Sequence, residues 1–184
     1  MNDLLFIRHA ETDMAGTFCG QSNSPINERG NRQVRALLKA IERESIDEIY
    51  TSDLRRAVAT ADAIAEVFAC PFVARPGLRE INFGEWEGLT WQEIERRDNA
   101  YAREWSAAYP TLPAPGGESF EAFQKRVMIE VEHLLTRVVH GGIAVVTHAG
   151  VMRVVLRKLC GLDEKEAWER TSSYCSFFKY EMNR

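Results

Sequence analysis

The sequence predicts an α/β fold: a three-layer α/β/α sandwich around a mostly parallel sheet, with a small inserted lid. Three observations predict it. Short apolar runs alternate with segments whose apolar residues recur at helical spacing. Polar residues that suit chemistry follow directly on those runs. One irregular stretch, about residues 84–120, interrupts the alternation and contains Pro110, Pro113, Pro115, Gly116 and Gly117. The 184 residues are read as a single domain, 1–184, with that stretch as the lid.

Leu4 to Ile7 is wholly apolar, as a parallel strand buried on both faces must be. Asn27 can cap a helix that carries Val34, Leu37, Leu38 and Ile41 on one face. Glu48 to Thr51 reads as a second strand. Asp53 is the expected cap of the next helix, whose inner face is Ala57, Ala61, Ile64, Ala65 and Phe68, and Cys70-Pro71 ends it. Phe72 to Ala74 is a third, weaker strand. Thr90 and Glu93 form a capping box that opens a helix in the irregular stretch. Ser119 starts a longer helix with Phe120, Phe123, Val127, Val131 and Leu134 inward, stopped near Gly141-Gly142. Ile143 to Thr147 is the fourth strand, and Val151, Val154, Val155 and Leu159 mark a helix ending at Cys160-Gly161. Residues Ser172 to Met182 alternate and read as a late edge strand.

Composition narrows the function. Charged residues make up 27% and the net charge is −4, so the chain lacks the basic footprint that nucleic-acid binding requires. No apolar run approaches the roughly 20 residues of a membrane span, and the N-terminus has no basic region of a signal peptide. The four cysteines, Cys19, Cys70, Cys160 and Cys175, are scattered and read as reduced thiols. A cytoplasmic location with no nucleic-acid or membrane partner is expected. No His/Cys spacing suits a metal, so neither metal nor cofactor is expected.

Ligands of such sheets bind beyond the C-terminal strand ends. There the sequence places Arg8 and His9 after the first strand, and Ser52, Arg55 and Arg56 after the second. Arg79 and Glu80 follow the third, and His148 follows the fourth. These types suit phosphoryl transfer to water. An arginine fork matches phosphate oxygens, a histidine nitrogen can attack phosphorus, and a second histidine can stabilise developing charge. A carboxylic acid can protonate the leaving alkoxide and then deprotonate water.

On these residues the chain resembles a known family. Leu5 to Thr12, with Arg8-His9 at its centre, looks like the Arg-His-Gly signature of the histidine phosphatase (phosphoglycerate-mutase-like) superfamily. Thr51 to Ala57, Leu78 to Gly88 and Val146 to Val151 resemble its other motifs, in the same order. The resemblance implies that His9 is the nucleophile, that Arg8, Arg56 and His148 hold the phosphoryl group, and that Glu80 is the proton donor. Thr12, Gln21 and Trp91 are the further substrate contacts it suggests. Trp86, Trp91 and Trp105 read first as packing residues, and second as a wall for a flat base. Three positions depart from the pattern: Ala10 for glycine, Ala15 for asparagine and Asn23 for aspartate. They are expected to tune affinity. His133 and His140 read as solvated.

Pro115 to Phe120, with Phe123 and Arg126, most resembles the alpha-ribazole phosphatases, which remove a 5′-phosphate during assembly of the cobalamin nucleotide loop. The implied function is therefore a small-molecule phosphomonoesterase, with alpha-ribazole 5′-phosphate as the expected substrate. The alternatives are a broad sugar-phosphate phosphatase, a phosphoglycerate-mutase-like enzyme, a protein phosphohistidine phosphatase, or a pseudo-enzyme that only binds phosphorylated ligands.

Overall fold

The computed structural model describes residues 3–138 and 142–181. Five strands and seven α-helices follow one another: β1 (Asp3–Arg8), α1 (Glu28–Ala40), β2 (Glu48–Thr51), α2 (Arg55–Phe68), β3 (Phe72–Ala74), α3 (Trp91–Arg97), α4 (Asn99–Ala108), α5 (Phe120–Arg137), β4 (Ile143–Thr147), α6 (Ala149–Leu159), α7 (Glu164–Thr171) and β5 (Phe177–Glu181). They form one sheet of order β3-β2-β4-β1-β5, parallel except for β5, which runs antiparallel against β1. β1 and β4 lie inside the sheet, which is why their sequences are continuous apolar runs.

The strands' alternation sorts side chains onto two faces. Leu4, Phe6, Ile143, Val145 and Phe178 pack with Val127 and Val131 of α5 and Val151 and Val155 of α6. Leu5, Ile7, Ile49, Ala144 and Val146 pack against Leu37 of α1 and Ala57, Ala61 and Ile64 of α2. Helices thus cover both sheet faces, which gives the three layers expected. A third cluster lies outside the sheet: Trp86, Ile94, Ala102 and Ala114 are buried, with Phe18, Trp91 and Trp105 packed on them.

Several local expectations change. Asp53 does not cap α2; its carboxylate receives both Nε and NH2 of Arg79. The first amide of α2, that of Arg55, donates instead to Asn23 Oδ1 at 2.8 Å. The helix after Thr90 stops at Asp98, whose side chain accepts from the Tyr101 amide and starts α4. The region 172–182 is a strand only from Phe177; Ser172 to Ser176 is irregular, and Met182 and His140 lie outside the described residues. α7 is an additional helix. It is mostly charged and buries only Ala167 and Thr171, so its apolar periodicity is weak.

Candidate active site

Strand register builds the site. Arg8 of β1 pairs with Thr147 of β4, so the next residues, His9 and His148, leave adjacent strands side by side. Their rings lie 4.9 Å apart. Thr51 of β2 pairs with Val146, which sets Ser52 beside them, and its hydroxyl lies 2.8 Å from His148 Nε2. Both histidines are buried.

His9 Nδ1 lies 2.7 Å from the Ala10 carbonyl oxygen. A carbonyl only accepts, so Nδ1 carries the hydrogen and Nε2 carries the lone pair. Arg56 Nε donates to that Nε2 at 3.2 Å. Burial, and then the charge of Arg56, holds His9 neutral well below the ordinary histidine range, and the same two causes act on His148. His9 is thereby a neutral ring whose lone-pair nitrogen faces a guanidinium.

Arg56 is 1% exposed. Its NH1 and NH2 donate to the Ser22 and Gly20 carbonyls at 2.6 Å each. Gly20 has φ +49°, and a Cβ there would run into the Glu87 carboxylate, so glycine is required where the loop turns under Arg56. Arg8 NH1 donates to the Thr171 and Ser172 carbonyls at the end of α7, at 2.9 and 2.5 Å. A helix C-terminus leaves such carbonyls without helical partners, and it favours a cation. The Tyr174 ring covers the Arg8 guanidinium at 4.0 Å and lies 5.7 Å from the His9 ring.

Neither Arg8 nor Arg56 has an acidic ion-pair partner among the described residues. Arg8 Nε and His148 Nδ1 are buried without a hydrogen-bond partner there. Removing an uncompensated charge from water costs several kcal/mol, so such charges are normally paired. Two guanidinium groups near His9 without a carboxylate are chemically suited to an anion.

Glu80 sits in the loop after β3. Its Oε1 accepts from the Ile81 amide at 3.1 Å and its Oε2 from the Gly150 amide at 3.0 Å. Arg126 of α5 grips this loop from behind: NH1 donates to the Gly77 and Arg79 carbonyls and NH2 to that of Glu80, while Nε pairs with Glu118 at 2.7 Å. Gln21 Nε2 also donates to the Glu80 carbonyl, at 3.1 Å. Glu87 accepts from the Gln21 amide, the Ser22 hydroxyl and the Phe83 amide, joining the Arg56 loop to the Glu80 loop.

Beside Glu80 opens a cleft that is continuous with solvent. Phe83, Trp105, Tyr109 and Phe120 line one part of it, and Gly150, Arg153 and Arg157 another. Trp91 does not line this cleft: it packs between Phe18, Trp86 and Trp105, because the four rings share one cluster. Thr12 is buried, and its hydroxyl accepts from the Met14 amide. Gln21 serves the Glu80 loop, as described. Ala10 is fully buried and its amide donates to Thr60 Oγ1, so the extra Cβ is accommodated. Ala15 is exposed on a turn, and Asn23 supports the start of α2. His133 is exposed.

The structure adds residues that sequence reasoning passed over. Tyr174 follows a helix that was itself too polar to see; only the Asp163-to-Glu166 capping box signalled that helix. Arg153 and Tyr109 of the cleft carry no motif at all. Among the described residues no group of histidine, cysteine and carboxylate side chains could hold a metal ion, and no helix is long and apolar enough to cross a membrane.

Comparison with known proteins agrees with this geometry. Residues 4–184 match the Histidine phosphatase superfamily (branch 1). The chain is 34% identical over 164 residues to the metal-independent phosphoserine phosphatase of Arabidopsis thaliana, covering 86% of this chain and 69% of the relative. It is 30% identical over 171 residues to the adenosylcobalamin/alpha-ribazole phosphatase of Escherichia coli (strain K12), covering 90% and 82%. The crystal structure of the alpha-ribazole phosphatase from Shigella flexneri superposes with a TM-score of 0.88 at 26% identity, covering 99% of this chain and 91% of that one. With the family match spanning residues 4–184 and relatives of this kind, the chain belongs to the histidine phosphatase superfamily and is a phosphatase.

Proposed function

We propose that the chain hydrolyses small-molecule phosphomonoesters in two steps through a phosphohistidine on His9. In the first, His9 Nε2 attacks phosphorus, the ester P–O bond breaks, and Glu80 gives its proton to the departing alkoxide. In the second, water attacks the phosphohistidine, its proton passes to the Glu80 carboxylate, and the P–N bond breaks to release phosphate. Arg8, Arg56 and His148 hold the phosphoryl oxygens, where charge is concentrated throughout. The uncompensated burial of Arg8 and Arg56 around a neutral His9 carries this reading. The segment 84–120, with its own aromatic cluster, serves as a lid of the one domain.

The finer reading is alpha-ribazole 5′-phosphate. Its support is the aromatic part of the cleft, where Trp105, Tyr109 and Phe120 flank the space next to Glu80. Aromatic walls suit a flat base. Phosphate release from alpha-ribazole 5′-phosphate, ribose 5-phosphate and phosphoserine tests it. Alpha-ribazole 5′-phosphate should give the highest kcat/KM. Equal rates on the two ribose esters would remove the case for a stacked base and leave the roles of His9, Arg56 and Glu80 standing.

A further inference from the structure

Arg153 is a second charged feature of the cleft, distinct from the phosphoryl clamp. It is largely buried on α6. Its guanidinium lies 3.6 Å from the centre of the Trp168 ring, and its Nε donates to Thr171 Oγ1 at 3.0 Å. Trp168 and Thr171 belong to α7, so two elements fix one side chain. Holding an arginine this way forfeits side-chain rotamer freedom. A merely solvated arginine would have no reason to lose that freedom.

The terminal nitrogens of Arg153 have no hydrogen-bond partner, and the residue has no acidic ion-pair partner, among the described residues. Arg157, one turn further along α6, offers the contrast: it pairs with Glu164 at 3.3 Å. Both arginines line the cleft together with Glu80. Burial lowers the Arg153 pKa, and the charge of Glu80 opposes that shift, which sets the two groups within electrostatic reach. Thr171 also connects the two cationic sites, because its hydroxyl receives Arg153 and its carbonyl receives Arg8.

We infer that Arg153 is a specificity residue that receives an anionic group, a carboxylate, on the leaving group of a second class of substrate: small alkyl phosphates that carry an acid. This rests on the hydrolase reading above and is independent of the stacked base. The free fork of Arg153 matches a carboxylate bidentately. The aromatic part of the cleft and its arginine part then serve two leaving groups at one phosphoryl site. Arg153 acts on the leaving group and not on phosphorus, so its contribution falls mainly on KM.

The test compares 3-phosphoglycerate with glycerol 3-phosphate, two three-carbon esters that differ in a carboxylate against a hydroxymethyl group. The wild-type enzyme should prefer 3-phosphoglycerate by about tenfold or more in kcat/KM, the size of a charged hydrogen-bonded pair. Arg153→Gln should collapse that ratio to about one, and Arg153→Lys, which keeps the charge without the fork, should fall between. A wild-type ratio near one overturns the inference without any variant. So does an Arg153→Gln enzyme that loses both substrates equally, since that is the mark of a structural role. Failure of the hydrolase reading is distinguishable: the wild-type protein would then release no phosphate from either ester or from p-nitrophenyl phosphate.

Discussion

The Glu80 carboxylate lies directly against the bare backbone of Gly150. The Gly150 amide donates to Glu80 Oε2 at 3.0 Å, and a Cβ on Gly150 would collide with Glu80 Oε1. The backbone that starts α6 directly after His148 therefore also fixes the proposed acid. Gly150→Ala should displace the carboxyl group while leaving the His9 site intact. Hydrolysis of alkyl phosphates should drop by about 100-fold, the lower range of a general acid's contribution. Loss should be far smaller with p-nitrophenyl phosphate, whose phenolate leaves without a proton. Equal losses on both substrates would show that Glu80 is not the acid.

Arg56 presents a planar fork, with two nitrogens on backbone carbonyls and Nε on His9. Lysine keeps the charge and loses that geometry. Arg56→Lys should cost an order of magnitude or more in kcat/KM, whereas Arg55→Lys, on an exposed neighbour, should cost little. Steady-state rates with vanadate inhibition constants read this directly, and vanadate affinity should fall in parallel for Arg56→Lys. Unchanged vanadate affinity would remove Arg56 from the phosphoryl clamp.

Tyr174 contributes a ring to the site and, among the described residues, no hydrogen bond, stacking on Arg8 beside His9. Tyr174→Phe should therefore behave like the wild type. Tyr174→Leu should weaken phosphate and vanadate binding about three- to tenfold, as loss of a partly desolvated cation–π contact implies. Inhibition constants, set beside melting temperatures, separate this from a general loss of stability. Equal affinities for the Phe and Leu variants would show that the ring does not orient Arg8.

The buried, neutral histidines tie stability to pH. Burial and Arg56 lower both pKa values below the ordinary 6.5. The unfolded chain therefore binds protons at these sites where the folded chain does not, and stability is lost as pH falls through about 6.5. Urea unfolding at about pH 8 and about pH 5.5 should show this loss, less steeply in His148→Asn. Bound vanadate should reduce the loss, because an anion favours the protonated rings. A profile equally steep in His148→Asn would mean that other groups govern acid stability.

The parts of this molecule that were legible in its sequence are those where one strong local rule operates. β1 and β4 are buried on both faces, so their apolar runs were continuous; α1 showed its Asn27 cap, and its Gly30 amide does donate to that side chain. His9 and His148 were legible because each follows such a strand. What stayed hidden depends on distant partners. Asp53 looked like a helix cap but is taken by Arg79, and Asn23 does the capping from another loop. α7 hides because it buries little apolar surface, and with it went Tyr174, Trp168 and the anchoring of Arg8 and Arg153. Trp91 could not be separated from Trp105 by spacing: the two rings are neighbours in one cluster, and only the second reaches the cleft.

Rapid quenching of the enzyme with a labelled phosphomonoester, under conditions that avoid acid, tests the phosphohistidine most directly. The label should be acid-labile and alkali-stable, map to His9, be consumed by water at a rate consistent with turnover, and be absent from a nearly inactive His9→Ala enzyme. A His9→Ala enzyme that still hydrolyses alkyl phosphates, or a label on another residue at full occupancy, would contradict it.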